Sequence, residues 1–147
     1  MKIKYKEQLI KLPDQNKNDL LKTIQWVENK GVKDATILGA TGKRDDHSLA
    51  NIFTLLEFPT SLKCTLITDH GFFTTTEGTT ELQSFNGQQI SLFSTDPDIE
   101  ITSTNLKYYF NRKKLNTIYS GSLNESTSAT FTLSLTYGKI LVYQVFE

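Results

Sequence analysis

The apolar period of this chain changes once, near residue 70, and that change limits the fold more than any single motif. Over residues 1–70, short apolar runs alternate with helical patterns. "QLIKL" reads as a strand ending at Pro13. "NDLLKTIQWVENKG" sets Leu20, Ile24 and Val27 on one face, with Leu21 beside them, at helical spacing. Asn18 suits the N-cap of that helix and Gly31 the position past its end. "DATILG" reads as a second strand, apolar on both faces. "DDHSLANIFTLLEF" puts Leu49, Ile52, Phe53 and Leu56 on one helical face and stops before Pro59, and "CTLITD" is a third strand. Strand, helix, strand, helix, strand implies right-handed crossovers and a parallel sheet.

Residues 71–147 carry no helical period. They offer short Thr-, Ser- and aromatic-rich runs: "GFFTTT", "TELQSF", "QQISLFS", "IEITST", "LNTIYSG", "SATFTLSLTYG" and "KILVYQVFE". Turn residues separate them at "EGT", "FNGQ", "TDPD" and "YGK", and "FTLSLTYGKILVY" reads as a closing hairpin around Tyr137 and Gly138. The Thr clusters suit one half-exposed sheet face. The expected fold class is α/β plus all-β. A partial parallel α/β sandwich over residues 1–70 is followed by an antiparallel β-sandwich domain over 71–147.

Composition narrows the function classes. The 147 residues include 37% hydrophobic side chains, with 9 Phe and 6 Tyr, enough for a packed core. Lys plus Arg is 16 and Asp plus Glu is 16, so the net charge is zero. That balance speaks against a nucleic-acid or membrane-surface partner, both of which favour excess basic charge. The one cysteine, Cys64, lies in the apolar run "CTLIT" and reads as a small core residue. A lone thiol fits a reducing cytoplasm. No stretch approaches the ~20 apolar residues of a membrane span, and "MKIKYKEQ" lacks the apolar region of a signal peptide.

The candidate chemistry sits at "GATGKRDDHSLAN". A strand, a glycine turn and a helix point backbone N–H groups at one spot, which suits phosphate. Lys43 and Arg44 add positive charge, and Arg can bind phosphate bidentately. It is not a P-loop: Arg44 stands five residues after Gly39, where that motif has its second glycine. It is a poor dinucleotide turn, because the third glycine would fall at Asp45, whose carboxylate would repel pyrophosphate. Asp45 and Asp46 also have an ordinary reading as N-cap and first-turn acids. His47 reads equally as a buried structural histidine or as a base, with Asn51 one turn on in the same polar strip.

"LGATGKRDDHSLANIFTLL" resembles the G-x-x-G-x-R-x-D-H-x-x-A-N segment of the thiamine diphosphokinases (thiamine pyrophosphokinases). "LPDQNKNDLLKTIQWVENKG" is similar to that family's segment leading into a helix. "TSTNLKYYF" resembles its G-L-K-[YW] strand, and "SGSLNESTSATFTLSLTYGKILVY" its Ser-Asn-Glu segment with the last two strands. The matches fall in family order over nearly the whole chain.

The resemblance implies pyrophosphoryl transfer from ATP, as co-substrate, to thiamine, with Mg²⁺ as cofactor, by a homodimer. Residues 1–70 would then be a partial α/β catalytic, ATP-binding domain and 71–147 a thiamine-binding β-sandwich. It implies Gln15, Asn18 and Asp19 near the nucleotide phosphates, with Asp19 as the metal ligand. Gly39, Thr41 and Gly42 would form the turn, and Arg44, Asp46 and Asp19 the catalytic set, with His47 on the substrate side. Tyr108 would stack on the thiamine ring from the other subunit, and Asn124 would contribute to the thiamine pocket. Tyr108 and Tyr109 also read as plain sheet-face residues.

Three departures stand out. Asn18 takes the place of a usual Thr, and Leu123 that of the Ser before Asn124. Nothing before "MKIKYKEQLIKLPDQ" matches the family's Asp-rich Gly-Asp-x-Asp-Ser segment, which implies a chain starting about a third into the enzyme and inactive alone. Two other readings compete: an NAD(P)-binding oxidoreductase fragment, from "GATG" after a strand, and a non-catalytic thiamine-binding or dimerisation module.

Overall fold

The computed structural model describes residues 10–57 and 60–147. The first helix, α1 (Asp19–Asn29), starts where the sequence places it. Asn18 is extended and its Oδ1 accepts the Leu21 N–H at 2.7 Å, filling one of the orphan donors of a helix start. The chain leaves α1 through Gly31 at φ +79°, the left-handed residue that ends a helix cheaply. Strand β1 (Asp34–Ile37) follows, then α2 (Asp45–Glu57) and strand β2 (Lys63–Ile67). β1 and β2 pair in parallel, Asp34 opposite Lys63 through Ile37 opposite Leu66.

Both helices pack on one face of this pair. Ile24 of α1 and Leu55 and Leu56 of α2 meet Cys64 and Leu66 of β2, with Leu20, Val27, Ile52 and Phe53 around them. Burying each such side chain stabilises by about 1.5–3 kcal/mol. Leu49, expected in the helical stripe, is instead exposed, and Leu55 is buried in the next turn. Cys64 is in the core, and burial pushes its thiol pKa up. The expected strand "QLIKL" falls partly outside the described residues, and Ile10–Leu12 form no strand.

Strand β3 (Gly71–Gln83) turns back against β2, Leu66 opposite Phe73, so the α/β sheet runs without a break into the second half. The tight corner is closed by Thr68, whose N–H and hydroxyl both donate to the Gly71 carbonyl at 2.8 and 3.0 Å. β4 (Gln89–Phe93), β5 (Glu100–Thr104), β6 (Lys113–Lys114), β7 (Gly121–Glu125) and β8 (Thr130–Val145) complete the chain. The sheet order is β1-β2-β3-β8-β4-β7, with β5 joined to β8 and β6 to β5.

The long β3–β8 ribbon makes the sandwich. Its register shifts between Glu77 and Thr79, with Gly78 at φ +57° on one strand and Gly138 at φ +65° on the other. Beyond the shift, β8 residues 132–135 pair with β5; before it, residues 141–144 pair with β4. The two branches enclose a core of Ile90, Leu92, Ile101, Phe131, Leu133, Ile140 and Val142.

Several expectations are corrected by this ribbon. Tyr137 and Gly138 are not a hairpin turn. Ser134 pairs with Thr79 and Lys139 with Glu77, so both arms of the supposed hairpin bond to β3 rather than to each other. "EGT" is a bulge, and "GFFTTT" and "TELQ" belong to one strand that ends at Gln83. A left-handed glycine serves a bulge as well as a turn, and only the partner strand decides which. "LNTIYSG" is turn rather than strand up to Ser120, and pairing begins at Gly121.

Candidate active site

The Gly39–Gly42 turn stands at the carboxyl end of β1 and delivers the chain to α2. Gly39 and Gly42 have φ of +69° and +90°, a conformation that disfavours a Cβ. Asn51 fixes the turn from behind, its Nδ2 donating to the Ala40 carbonyl at 2.8 Å. The polar strip of α2 noted in the sequence thus has a structural duty at Asn51.

Arg44 is the cap of α2, since its carbonyl accepts the Ser48 N–H at 2.9 Å. Asp45 and Asp46 are the first-turn acids, a favourable place beside the positive end of the helix dipole. Arg44 grips Asp46 through two bonds, Nη2 to Oδ2 at 2.7 Å and Nε to Oδ1 at 3.1 Å. Asp46 Oδ1 also accepts the His47 N–H at 2.9 Å. The guanidinium beside it holds the Asp46 carboxyl below the usual carboxylate range, helped by the His47 amide. Asp46 is therefore an anion and acceptor at neutral pH, not a proton donor. The pair is open to solvent, with side-chain exposures of 70% and 62%. Among the described residues Arg44 Nη1 has no partner, so the guanidinium keeps donors for an arriving anion. His47 is exposed, which removes the buried structural reading.

At the start of α1, Asn18 faces two ways. Its Oδ1 caps α1 and its Nδ2 donates to Thr54 Oγ1 of α2 at 2.8 Å, tying the two helices together. Thr54 in turn donates to the Ala50 carbonyl at 2.8 Å. Nothing in the sequence reading pointed to Thr54, although it lies one turn from Asn51 on the same helix. Asp19 is fully exposed and pairs with Lys22 at 2.9 Å. Gln15 is exposed, its nearest partner the Pro13 carbonyl at 3.4 Å. Among the described residues no group of three or more His, Cys, Asp or Glu could hold a metal ion. With Asp19 on Lys22 and Asp46 on Arg44, these residues do not by themselves fit a Mg²⁺ site.

Tyr108 and Asn124 form a second group. Both Tyr108 and Tyr109 lie in the β5–β6 loop, not on a strand face, and are 64% and 73% exposed. Asn124, on β7, is buried. Its Oδ1 accepts the Tyr108 N–H at 3.0 Å and its Nδ2 donates to the Tyr108 carbonyl at 2.7 Å. Leu123, Ile118 and Tyr119 are exposed on the same stretch of chain. Among the described residues no hydrogen bond or ion pair joins this group to the Arg44–Asp46 turn.

A groove of about 810 Å³ among the described residues includes none of these side chains. It lies on the helix-free face, along Thr36, Thr65, Thr74, Thr76, Gln83 and Gln144. Its two lysines, Lys63 and Lys139, are matched by Asp34 and Glu77 among neutral hydroxyls and amides, so the lining carries no excess positive charge; a phosphate calls for aimed cations, and the turn is the better candidate.

These features define a chain of two joined parts, an α/β part that ends a strand in an arginine-bearing glycine turn and a β-sandwich part that presents tyrosines. Two family models match in that order: thiamin pyrophosphokinase, catalytic domain, over residues 1–67, and thiamin pyrophosphokinase, substrate-binding domain, over residues 71–143. The chain belongs to the thiamin pyrophosphokinase family.

Solved structures agree. A thiamine pyrophosphokinase from Bacillus subtilis is 25% identical with a TM-score of 0.76, over 91% of this chain and 65% of that one. A probable thiamine pyrophosphokinase from Staphylococcus saprophyticus is 20% identical, TM-score 0.73, over 99% of this chain and 70% of that one. The thiamin pyrophosphokinase of Candida albicans is 18% identical, TM-score 0.66, over 78% of this chain and 44% of that one. This chain thus spans about 65% of the length of the Bacillus enzyme. A comparison with curated protein sequences finds no match.

Proposed function

We propose that this chain carries the ATP- and thiamine-handling parts of a thiamine diphosphokinase, which moves pyrophosphate from ATP to thiamine. The thiamine hydroxyl oxygen forms a bond to the β-phosphorus, the bond from that phosphorus to the bridging oxygen of AMP breaks, and thiamine diphosphate and AMP result. The observation that carries this reading is Arg44. It caps a helix behind a glycine turn, with its guanidinium oriented by Asp46 and still exposed, on a chain that matches the family in both halves.

Little covalent chemistry is asked of the protein in such a transfer; it must align the oxygen and neutralise charge. Arg44 meets the phosphates, supported by the N–H groups of the Gly39–Gly42 turn and by Thr41. Asp46, held ionised, accepts a hydrogen bond from thiamine and keeps the guanidinium in place. His47 and Gln15 flank the substrates. Asn18 ties the start of α1 to α2, and Asp19 beside it is taken, on the family resemblance, to face the phosphates. The family resemblance implies Mg²⁺ on the triphosphate, with Asp19 as one ligand, but the described residues do not by themselves make a site for it. Tyr108 stacks on the cationic ring, an attraction of roughly 0.5–2 kcal/mol.

A homodimer is part of this reading. Among the described residues no hydrogen bond or ion pair joins the tyrosine group to the arginine turn, which is compatible with the family resemblance's placing of Tyr108 of one copy at the turn of the other. Nucleic acid has no place in it, given the zero net charge. Among the described residues no helix is long and apolar enough to cross a membrane. The lone, buried Cys64 suits the cytoplasm. An NAD(P) site is not favoured, because Asp45 holds the third glycine position of a dinucleotide turn. Titration with ATP tests the assignment. Arg44→Ala should weaken ATP binding roughly tenfold to a hundredfold, the loss expected for a charge-assisted bond, with the melting temperature almost unmoved. Equal ATP affinity in parent and variant would remove Arg44 from the site.

A further inference from the structure

Among the sequence-predicted site residues, Asn124 alone is buried, at 3% exposure. Its carboxamide oxygen is also committed. Oδ1 accepts from the Tyr108 N–H at 3.0 Å and from the Glu125 N–H at 2.9 Å, and Nδ2 donates to the Tyr108 carbonyl at 2.7 Å. Both lone pairs of the oxygen are therefore used. The side chain meets Tyr108 as a neighbouring strand would, through its N–H and its carbonyl together.

A bulge makes this grip. Ile90 of β4 faces Asn124, but Leu92 faces Gly121, so Ser91 alone spans both Ser122 and Leu123. Leu123 is left-handed at φ +59°, and its N–H reaches Ser91 Oγ at 3.3 Å. Simple alternation from the buried Gly121 would bury Leu123 and expose Asn124. The extra residue reverses this: Asn124 is inside and Leu123 is 80% exposed. Bulges re-aim side chains in this way beside functional sites.

We infer that Asn124 is a positioning residue: it holds the backbone of Tyr108 so that the ring projects, and it makes no contact with ligand. This rests on the reading of Tyr108 as the ring that stacks on thiamine. A ligand contact through Oδ1 would need its bond to Tyr108 or to Glu125 to be given up, and the second N–H of Nδ2 belongs to a side chain that is almost wholly buried. Its effect on thiamine therefore passes through Tyr108 alone.

A double-mutant cycle on thiamine affinity tests this, because it isolates the coupling between two residues. Asn124→Ala in the parent should weaken thiamine binding by up to the loss seen for Tyr108→Ala, roughly threefold to thirtyfold. In the Tyr108→Ala background, Asn124→Ala should change thiamine affinity less than twofold. Losses that multiply in the double variant would overturn the inference and make Asn124 a direct contact. Should Asn124→Ala fail to fold, Asn124→Asp enters the same cycle, since it keeps the acceptor for both N–H groups and sets an oxygen in place of the donor against the Tyr108 carbonyl. Hydrogen exchange at the Tyr108 amide gives a readout independent of thiamine. Exchange should quicken in the Asn124 variants more than at core amides of β8, and uniform quickening would also overturn the inference. A parent that binds no thiamine overturns the reading of the site itself, with the grip on Tyr108 still decided by exchange.

Discussion

The Arg44 guanidinium binds both oxygens of Asp46 from two residues away, at 2.7 and 3.1 Å, on the first turn of α2. The pair orients a cation that would otherwise sample many rotamers in solvent. It also fixes a direction of pH dependence. The Asp46 carboxyl is depressed in the folded chain, so whatever the pair contributes is present above the unfolded aspartate pKa and is lost as pH falls through the lower, folded value. NMR titration of the Asp46 carboxyl should give a midpoint below the ordinary aspartate range, and Arg44→Ala should raise it. A midpoint unmoved by Arg44→Ala would mean the pair is absent in solution.

Leu123 sits at φ +59° with most of its side chain exposed. A left-handed Cβ costs roughly 1–2 kcal/mol, and the exposed side chain recovers little of it within one chain. Leu123→Gly should therefore keep or raise the melting temperature of the dilute chain. A fall of several degrees would show that the leucine is buried against something in solution.

Gly71 opens β3 at the corner with β2. A Cβ there would run into the Gln144 carbonyl and the Tyr143 ring. The obstacle is partly backbone of the central strand β8, which has little room to move. Gly71→Ala should destabilise by about 1–3 kcal/mol, the range for overpacking, read as a shift in urea midpoint. An unchanged midpoint would contradict the register of Gly71 opposite Val145.

Local signals in the sequence carried through to the structure. Asn18, Leu20, Ile24 and Gly31 announce α1 by cap, period and left-handed stop, and each of these is decided within one or two turns of chain. Cys64 in "CTLIT" is core because its neighbours are apolar. The misreadings share a cause, which is distant pairing. Tyr137 and Gly138 look like a hairpin until Ser134 and Lys139 are seen bonded to Thr79 and Glu77. At the site, the Gly39–Gly42 turn and the Arg44 cap were legible as a strand–turn–helix junction. The grip of Asn124 on Tyr108 was not, because it links positions sixteen apart through a bulge that no local pattern marks. Thr54 escaped notice for the same reason, since its partner Asn18 is on another helix.

The most direct measurement is equilibrium titration of the purified 147-residue chain with thiamine, for the parent and for Tyr108→Ala and Tyr108→Trp. Binding to the parent should be saturable, weakened roughly threefold to thirtyfold by Tyr108→Ala and kept by Tyr108→Trp, whose ring stacks at least as well. Absence of saturable binding, or equal affinity in the parent and the Ala variant, would contradict the thiamine site proposed for this chain.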